Sequence, residues 1–362
     1  MIPIVKPYLP PREDLLPALE NILYSGYIAE GEKVYEFERT FADYVANPFS
    51  LSLNSGTAAL HIALMLAGVG EGDEIISTVL TAEPTNVAIK LMGAKVVWAD
   101  VDASTGLLDP ADVRKKITEK TKAIMLVHYA GMVADLTAFQ QLSAEFNIPI
   151  IEDAAHALGA KYNGQPLGGI SDYTIFSLQA IKHMTTVDGG FLCVKNKEQA
   201  DRARLLRWFG LDKTKPRLEN DITTPGYKYH MNNVNATIGL VQMGYVREIV
   251  GKYIENGKFF DQALQQTAGV ELLQYYPGTE PSYWLYTMKV DRREDFIRMM
   301  AENGVAASEL HLRNDRHSVF NESKTELPVF DEFYKKMVHI PCGWWLTEED
   351  RERIATVIKK GW

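Results

Sequence analysis

Cysteine is scarce: Cys193 and Cys342 are the only two in 362 residues. Two thiols cannot build a disulfide framework, and their spacing fits no zinc site. Basic residues are in deficit, 38 Lys and Arg against 47 Asp and Glu, a net charge of −9. No block of Lys or Arg offsets that balance, which excludes a polyanion-binding surface. Long hydrophobic runs are missing as well. The longest apolar stretch, Ala123 to Ala134, contains His128 and is too short to span a bilayer. The opening segment MIPIVKPYLPPRED has no basic stretch followed by an apolar one, so no secretory leader is expected. These absences argue against a membrane protein, a nucleic-acid binder and a secreted scaffold. A cytoplasmic enzyme or a large soluble binding protein remains.

What is present is an alternation of short apolar runs and amphipathic stretches. Strands are predicted at 74–78, 95–100, 123–128, 149–153, 173–178 and 190–194. Helices are predicted at 57–67, 84–92, 111–117, 136–146 and 197–208. This order reads as an α/β fold with a mostly parallel sheet covered by helices. The runs AIMLV and IPII are apolar at every position, as suits strands covered on both faces. The texture changes after Asn232. One long helix or two in series is expected over 232–266, then a strand in YWLYTMKV and helices in REDFIRMMAEN and EEDRERIATVIKK. The expected organisation is a large α/β domain over 1–240 and a smaller C-terminal α+β domain over 241–362. The polar segment 211–229, broken by Pro216, Pro225 and Gly226, is expected to be a long functional loop.

Three segments carry chemistry. In Asn54-Ser55-Gly56-Thr57-Ala58, a helix start with free amides and hydroxyls offers an anion site, although a plain N-cap looks the same. In Ile150-Ile151-Glu152-Asp153-Ala154-Ala155-His156, an acid ends a buried strand, where open α/β sheets place ligands. A capping aspartate and a structural histidine are equally compatible with that segment. In Ser177-Leu178-Gln179-Ala180-Ile181-Lys182-His183, a lysine sits among apolar neighbours ahead of Gly189-Gly190. A partly desolvated lysine is a nucleophile or Schiff-base amine, whereas most lysines are simply on the surface. Together the three supply what pyridoxal phosphate requires: an amine for its aldehyde, an acid for its ring nitrogen and a cradle for its phosphate. No metal site is expected.

The segments GYIAEGEKVYEFE, NSGTAALHIAL, GDEII, IEDAAHALGA, SLQAIKHMTTVDGG and GYKYHMNNVNATIGL follow one another along nearly the whole chain. In that order they resemble the sugar aminotransferases of the DegT/DnrJ/EryC1/StrS group, within the aspartate-aminotransferase-like (fold type I) pyridoxal phosphate enzymes. The resemblance implies that Lys182 bonds the cofactor and then shuttles the proton. It implies that Asp153 pairs with the ring nitrogen and that His156 lies near the ring oxygen. Gly56, Thr57 and Ser177 would hold the phosphate. It further implies a homodimer in which the loop before the long helix reaches the neighbouring subunit's site.

Three departures stand out. The family often has an aromatic residue over the cofactor ring, in a segment that here reads Thr81-Ala82-Glu83-Pro84-Thr85. The common Gly-x-Asn-x-Arg of the cross-subunit loop is Gly226-Tyr227-Lys228-Tyr229-His230, which places a full charge, Lys228, where an amide is usual. Some relatives carry histidine in place of the Schiff-base lysine and are dehydratases; aligning Lys182, not His183, with that position favours transamination.

The implied reaction moves an amino group from glutamate to a keto-sugar, foremost a nucleotide-linked keto-deoxysugar, in lipopolysaccharide or O-antigen biosynthesis. The alternatives are a free sugar acid with a terminal carbonyl, a keto-sugar dehydratase, and a regulator that binds cofactor without turnover. The cluster His311-Leu312-Arg313-Asn314-Asp315-Arg316-His317 puts two arginines and two histidines in seven residues. His311, Arg313, Arg316 and His317 are therefore candidate readers of an anionic substrate group, with an exposed polar loop as the other reading.

Overall fold

The computed structural model covers residues 1–362. Its frame is a seven-stranded sheet. The strands are β1 (Ser50–Leu53), β2 (Glu74–Ser77), β3 (Lys95–Trp98), β4 (Thr121–Val127), β5 (Ile150–Asp153), β8 (Tyr173–Ser177) and β9 (Gly190–Val194). Between β5 and β8 lie the short strands β6 (Lys161–Tyr162) and β7 (Gln165–Pro166). The spatial order is β1-β9-β8-β5-β4-β2-β3. Only β9 runs against the rest, pairing antiparallel with both β1 and β8. The parallel strands are buried nearly throughout, because helices cover both faces.

All six predicted strands are present, and the five predicted helices end within a residue of their expected limits. The structure adds elements the sequence reading lacked. Helices Arg12–Leu23 and Glu32–Val45 precede the sheet, and β1 forms its edge. The sequence of β1, SLSL, is half serine yet wholly buried. Its Ser52 N–H and hydroxyl both donate to Glu38 Oε1 at 2.9 Å, and its Ser50 hydroxyl donates to the Asn47 carbonyl at 2.8 Å, so both polar positions are satisfied from the preceding helix and turn.

The 232–266 segment is two helices in series, Asn233–Met243 and Val246–Ala263. Beyond it lie β10 (Val270–Leu272), β11 (Thr279–Glu280), β12 (Tyr286–Val290) and β13 (Met337–Ile340). The strands β10, β12 and β13 make a second, antiparallel sheet, and β11 pairs with β6. A separate apolar cluster, including Phe260, Met288, Phe296, Val338 and Ile358, sits under that sheet. Strand β12 begins at Tyr286, so Trp284 of the YWLYTMKV segment lies in the bend before it. No helix is long and apolar enough to cross a membrane. The segment 211–229 is irregular apart from a turn at Arg217–Glu219.

Candidate active site

A cavity of about 280 Å³ opens at the carboxyl ends of β4, β5 and β8. Gly56, Thr57, Asp153, His156, Ser177, Lys182 and His311 all line it. Lys228, Arg313, Arg316 and His317 do not.

One wall is a helix start. Ser55 caps the helix Gly56–Leu66 by accepting from Ala58 N–H at 3.0 Å. The first amides of a helix have no partner inside it, so those of Gly56 and Thr57 are available to an anion. Ser177 lies against this turn: a Cβ on Gly56 would meet Ser177 Cβ at 3.1 Å. Behind it is Gly190, where a Cβ would sit 2.6 Å from Gly56 N. Only glycine lets β9 approach the turn this closely.

Asp153 ends β5 and is buried. Its Oδ2 accepts from Thr85 Oγ1 at 2.7 Å and its Oδ1 from Ala155 N–H at 3.0 Å. Thr85 is in turn 2.8 Å from Thr81 Oγ1. Burial raises the carboxyl pKa, while Thr85, Ala155 and Lys182 pull it down. A cation placed opposite would stabilise the carboxylate further. Lys182 is shifted the other way: burial lowers its pKa to about 8, partly opposed by Asp153. Its amine is thus far easier to deprotonate than an exposed lysine.

His183 points elsewhere. Its Nε2–H donates to the Ser282 carbonyl at 3.0 Å, its ring packs edge-on against Tyr253, and burial lowers its pKa to about 4. Of the two neighbours, only Lys182 reaches the cavity.

His156 is buried and its pKa lies well below the ordinary value, chiefly through desolvation. Nδ1 accepts from Ala130 N–H at 3.4 Å, so the neutral ring carries its proton on Nε2. That Nε2 has no partner in the chain. A buried donor without an acceptor is costly, and a bound oxygen would satisfy it. The orphaned donor, the free amides packed against Gly190, which has no room for a Cβ, and the amine–carboxylate pair all fit pyridoxal phosphate.

The 311–317 cluster divides. His311 lines the cavity, its ring parallel to His156 within 8° at 5.5 Å, and burial lowers its pKa to about 4. Its backbone N–H donates to Tyr129 Oη at 2.8 Å. Arg313 is not a free anion reader. Its Nε and Nη2 donate to Asp315 and its Nη1 to Asp331, each at 2.7 Å. Arg316 is exposed, and His317 Nε2 lies 3.7 Å from a Glu83 carboxylate oxygen. Asn314 between them clips the cluster onto the cavity wall. Its Nδ2 donates to the Thr81 carbonyl and its Oδ1 accepts from Asn86 Nδ2, both at 2.8 Å.

The sequence reading missed Thr81, Thr85, Gln179, Asp188 and Trp284. Thr81 and Thr85 are ordinary polar residues whose partners, Asn314 and Asp153, lie far along the chain, and Gln179 and Asp188 carry no motif of their own. No phenyl, phenol or indole lines the cavity where the family's aromatic is missing at Ala82; its only aromatic rings are the imidazoles of His156 and His311.

The model of the DegT/DnrJ/EryC1/StrS aminotransferase family matches residues 11–359. The chain belongs to this family. It is therefore an aminotransferase by family, and its fold agrees. AtS13 from Actinomadura melliaura is 41% identical with a TM-score of 0.96, over 100% of this chain and 99% of that one. The sugar aminotransferase CalS13 from Micromonospora echinospora is 37% identical with a TM-score of 0.96, over 100% of both chains. The UDP-4-amino-4-deoxy-L-arabinose–oxoglutarate aminotransferase of Shewanella sediminis is 32% identical over 99% of this chain and 97% of its own length.

Proposed function

We propose that the chain is a pyridoxal-phosphate-dependent aminotransferase that takes an amino group from glutamate and delivers it to the carbonyl of a nucleotide-linked keto-deoxysugar. The observation that carries this reading is the single cavity in which Lys182, Asp153, His156 and the Gly56–Thr57 turn with Ser177 come together. The likeness to the UDP-sugar aminotransferase supports the nucleotide-linked substrate.

When bound, pyridoxal phosphate supplies an aldehyde for amines and a ring that accepts the electron pair of the reacting carbon. Asp153 would keep the ring nitrogen protonated. Lys182, its pKa lowered to about 8, would serve as the base and acid that moves the substrate proton. His156 would offer its Nε2–H to the ring oxygen, and the Gly56 and Thr57 amides with the Ser177 hydroxyl would hold the phosphate.

The cavity contains no arginine, and no lysine besides Lys182. A phosphate dianion held there would find no full positive charge besides Lys182 in the lining, which supports a cation supplied by a second subunit. Lys228 is exposed on the 211–229 side of the fold. We assign it to the cavity of a second copy in a homodimer. Tyr24, Tyr27 and Leu218, all strongly exposed, suit such an interface. Both cysteines are free, which suits the reducing cytoplasm in which we place the reaction.

The test uses nitrogen-15-labelled glutamate and a UDP-linked 4-keto-sugar. Loaded enzyme with glutamate alone should release about one equivalent of 2-oxoglutarate per chain, by the stoichiometry of a group-transfer half-reaction. Added sugar should then acquire the label. Failure to release 2-oxoglutarate would refute the reading. A sugar that has lost water without gaining label would assign the dehydratase reaction instead.

A further inference from the structure

Trp284 is absent from the cavity wall yet completely buried, and it touches three parts of the site. Its indole Nε1–H donates to the Ile181 carbonyl at 2.9 Å, one residue before Lys182. The Lys182 ammonium nitrogen lies 4.2 Å from the centroid of its ring. The same ring stacks on His156, with centroids 4.0 Å apart and planes within 19°. We propose that Trp284 is a positioning residue of this active site: one indole, delivered from the C-terminal third of the chain, fixes the Lys182 amine and the His156 imidazole relative to each other.

The backbone around Trp284 is held for this purpose. Ser282 N–H donates to the Gly131 carbonyl at 3.0 Å and Leu285 N–H to the Ala130 carbonyl at 3.3 Å. The Ser282 carbonyl accepts from His183. Tyr283 takes a left-handed backbone, φ 50°, and Gly131 opposite it has φ 92°. A Cβ on Gly131 would lie 2.6 Å from Tyr283 N and 2.7 Å from Trp284 N. The bend is therefore gripped by the 130–131 turn on one side and by the Lys182 loop on the other.

An indole suits the position for three separate reasons. Its face carries negative charge density that attracts a cation, its edge carries one N–H donor, and its area supports a second ring. The charged and titratable groups around Lys182 are few. Asp153 favours the ammonium. His156, His183 and His311, all held neutral by burial, add no fixed positive charge. Asp188 shares the cavity wall. The indole face adds to Asp153 in favouring the ammonium, against the burial that pushes the amine toward neutrality.

The assignment rests on Lys182 being the amine that meets the cofactor, and the test separates the two. Full-length, cofactor-free protein is mixed with pyridoxal phosphate over a pH series. Amine and aldehyde condense with loss of water, visible absorbance appears, and its rate follows the unprotonated amine. The wild-type midpoint should lie at about 8. In Trp284→Leu it should move to lower pH by about one unit, the equivalent of a desolvated cation–π contact. In Trp284→Phe the shift should be roughly half a unit in the same direction, because the smaller ring holds the cation less well. Folding is checked by circular dichroism; if the Leu variant does not fold, the Phe variant decides. A folded variant whose midpoint is unchanged or higher overturns the proposal. Visible absorbance of wild-type strength in Lys182→Ala would instead overturn the assignment of Lys182.

Discussion

Lys182 and Asp153 are tuned by the same burial in opposite chemical senses. The lysine loses its proton more readily and the aspartate holds its proton more tightly. For Asp153 this has a stability consequence. In the cofactor-free protein the folded state binds that proton more strongly than the unfolded chain does. Stability from this group is full below the ordinary aspartate range and falls as pH rises through the raised value. Asp153→Asn removes that penalty. Thermal melts of the cofactor-free protein at pH 7 should show the variant no less stable than wild type, with the difference shrinking in acid. Its turnover should nevertheless fall on the order of a thousandfold, the scale of a lost charge-stabilising contact. A large drop in melting temperature with activity retained would make Asp153 a structural acid. Arg313 gives the reverse pattern. With its guanidinium committed to Asp315 and Asp331, Arg313→Ala should cost about 1 kcal/mol of stability and slow both half-reactions alike. A KM effect confined to the sugar would return Arg313 to substrate binding. Lys182, Asp153 and the Gly56–Thr57 turn, which the fold brings into one cavity, were legible because a lysine among apolar neighbours, an acid at a strand end and a Ser/Thr-Gly helix start each stand out in sequence. Thr85 and Trp284 were not legible, because their partners Asp153 and Lys182 lie 68 and 102 positions away in sequence.

The elements hold the site through a few close approaches. One of them joins β9 to the start of helix Gly56–Leu66 at Gly190. Gly190→Ala has no room for its methyl group without moving the Ser55–Gly56 peptide. It should cost about 1–3 kcal/mol of stability, and it should weaken cofactor binding by roughly tenfold or more, since a displacement worth 1.4 kcal/mol is already a factor of ten. Equilibrium dialysis of pyridoxal phosphate against the folded variant checks this, and unchanged affinity would mean the turn does not form the cradle. Strands β2 to β5, β8 and β9 were readable because continuous apolar runs between helical stretches leave few other interpretations. Strand β1 was not, because its serines look like surface until Glu38 is folded against Ser52. The 311–317 cluster divides for a related reason. Its charges read as a ligand site in sequence, but Asp331, which neutralises Arg313, lies 18 residues on. What the cluster delivers to the cavity is His311, whose backbone Tyr129 holds in place.

At the scale of the whole molecule, the cavity of one chain holds no cationic side chain besides Lys182. The amides at Gly56 and Thr57 offer dipoles but no full positive charge, and Lys228 stands exposed outside its own cavity. If a second copy supplies it, Lys228→Ala should loosen cofactor retention by about ten- to a hundredfold, the worth of a hydrogen bond to a charged group. Turnover of the enzyme that still holds cofactor should change little, and added salt should weaken wild type toward the variant. Unchanged retention at low salt would leave Lys228 as a surface cation. The central claim is that the cavity around Lys182 performs amino-group transfer. The most direct test is a single-turnover assay of 2-oxoglutarate release from glutamate by cofactor-loaded wild type and by Lys182→Ala. The account predicts about one equivalent per chain from wild type, as a half-reaction that stores the amino group requires, and none on the same timescale from the variant. Equal release by the two proteins would contradict it.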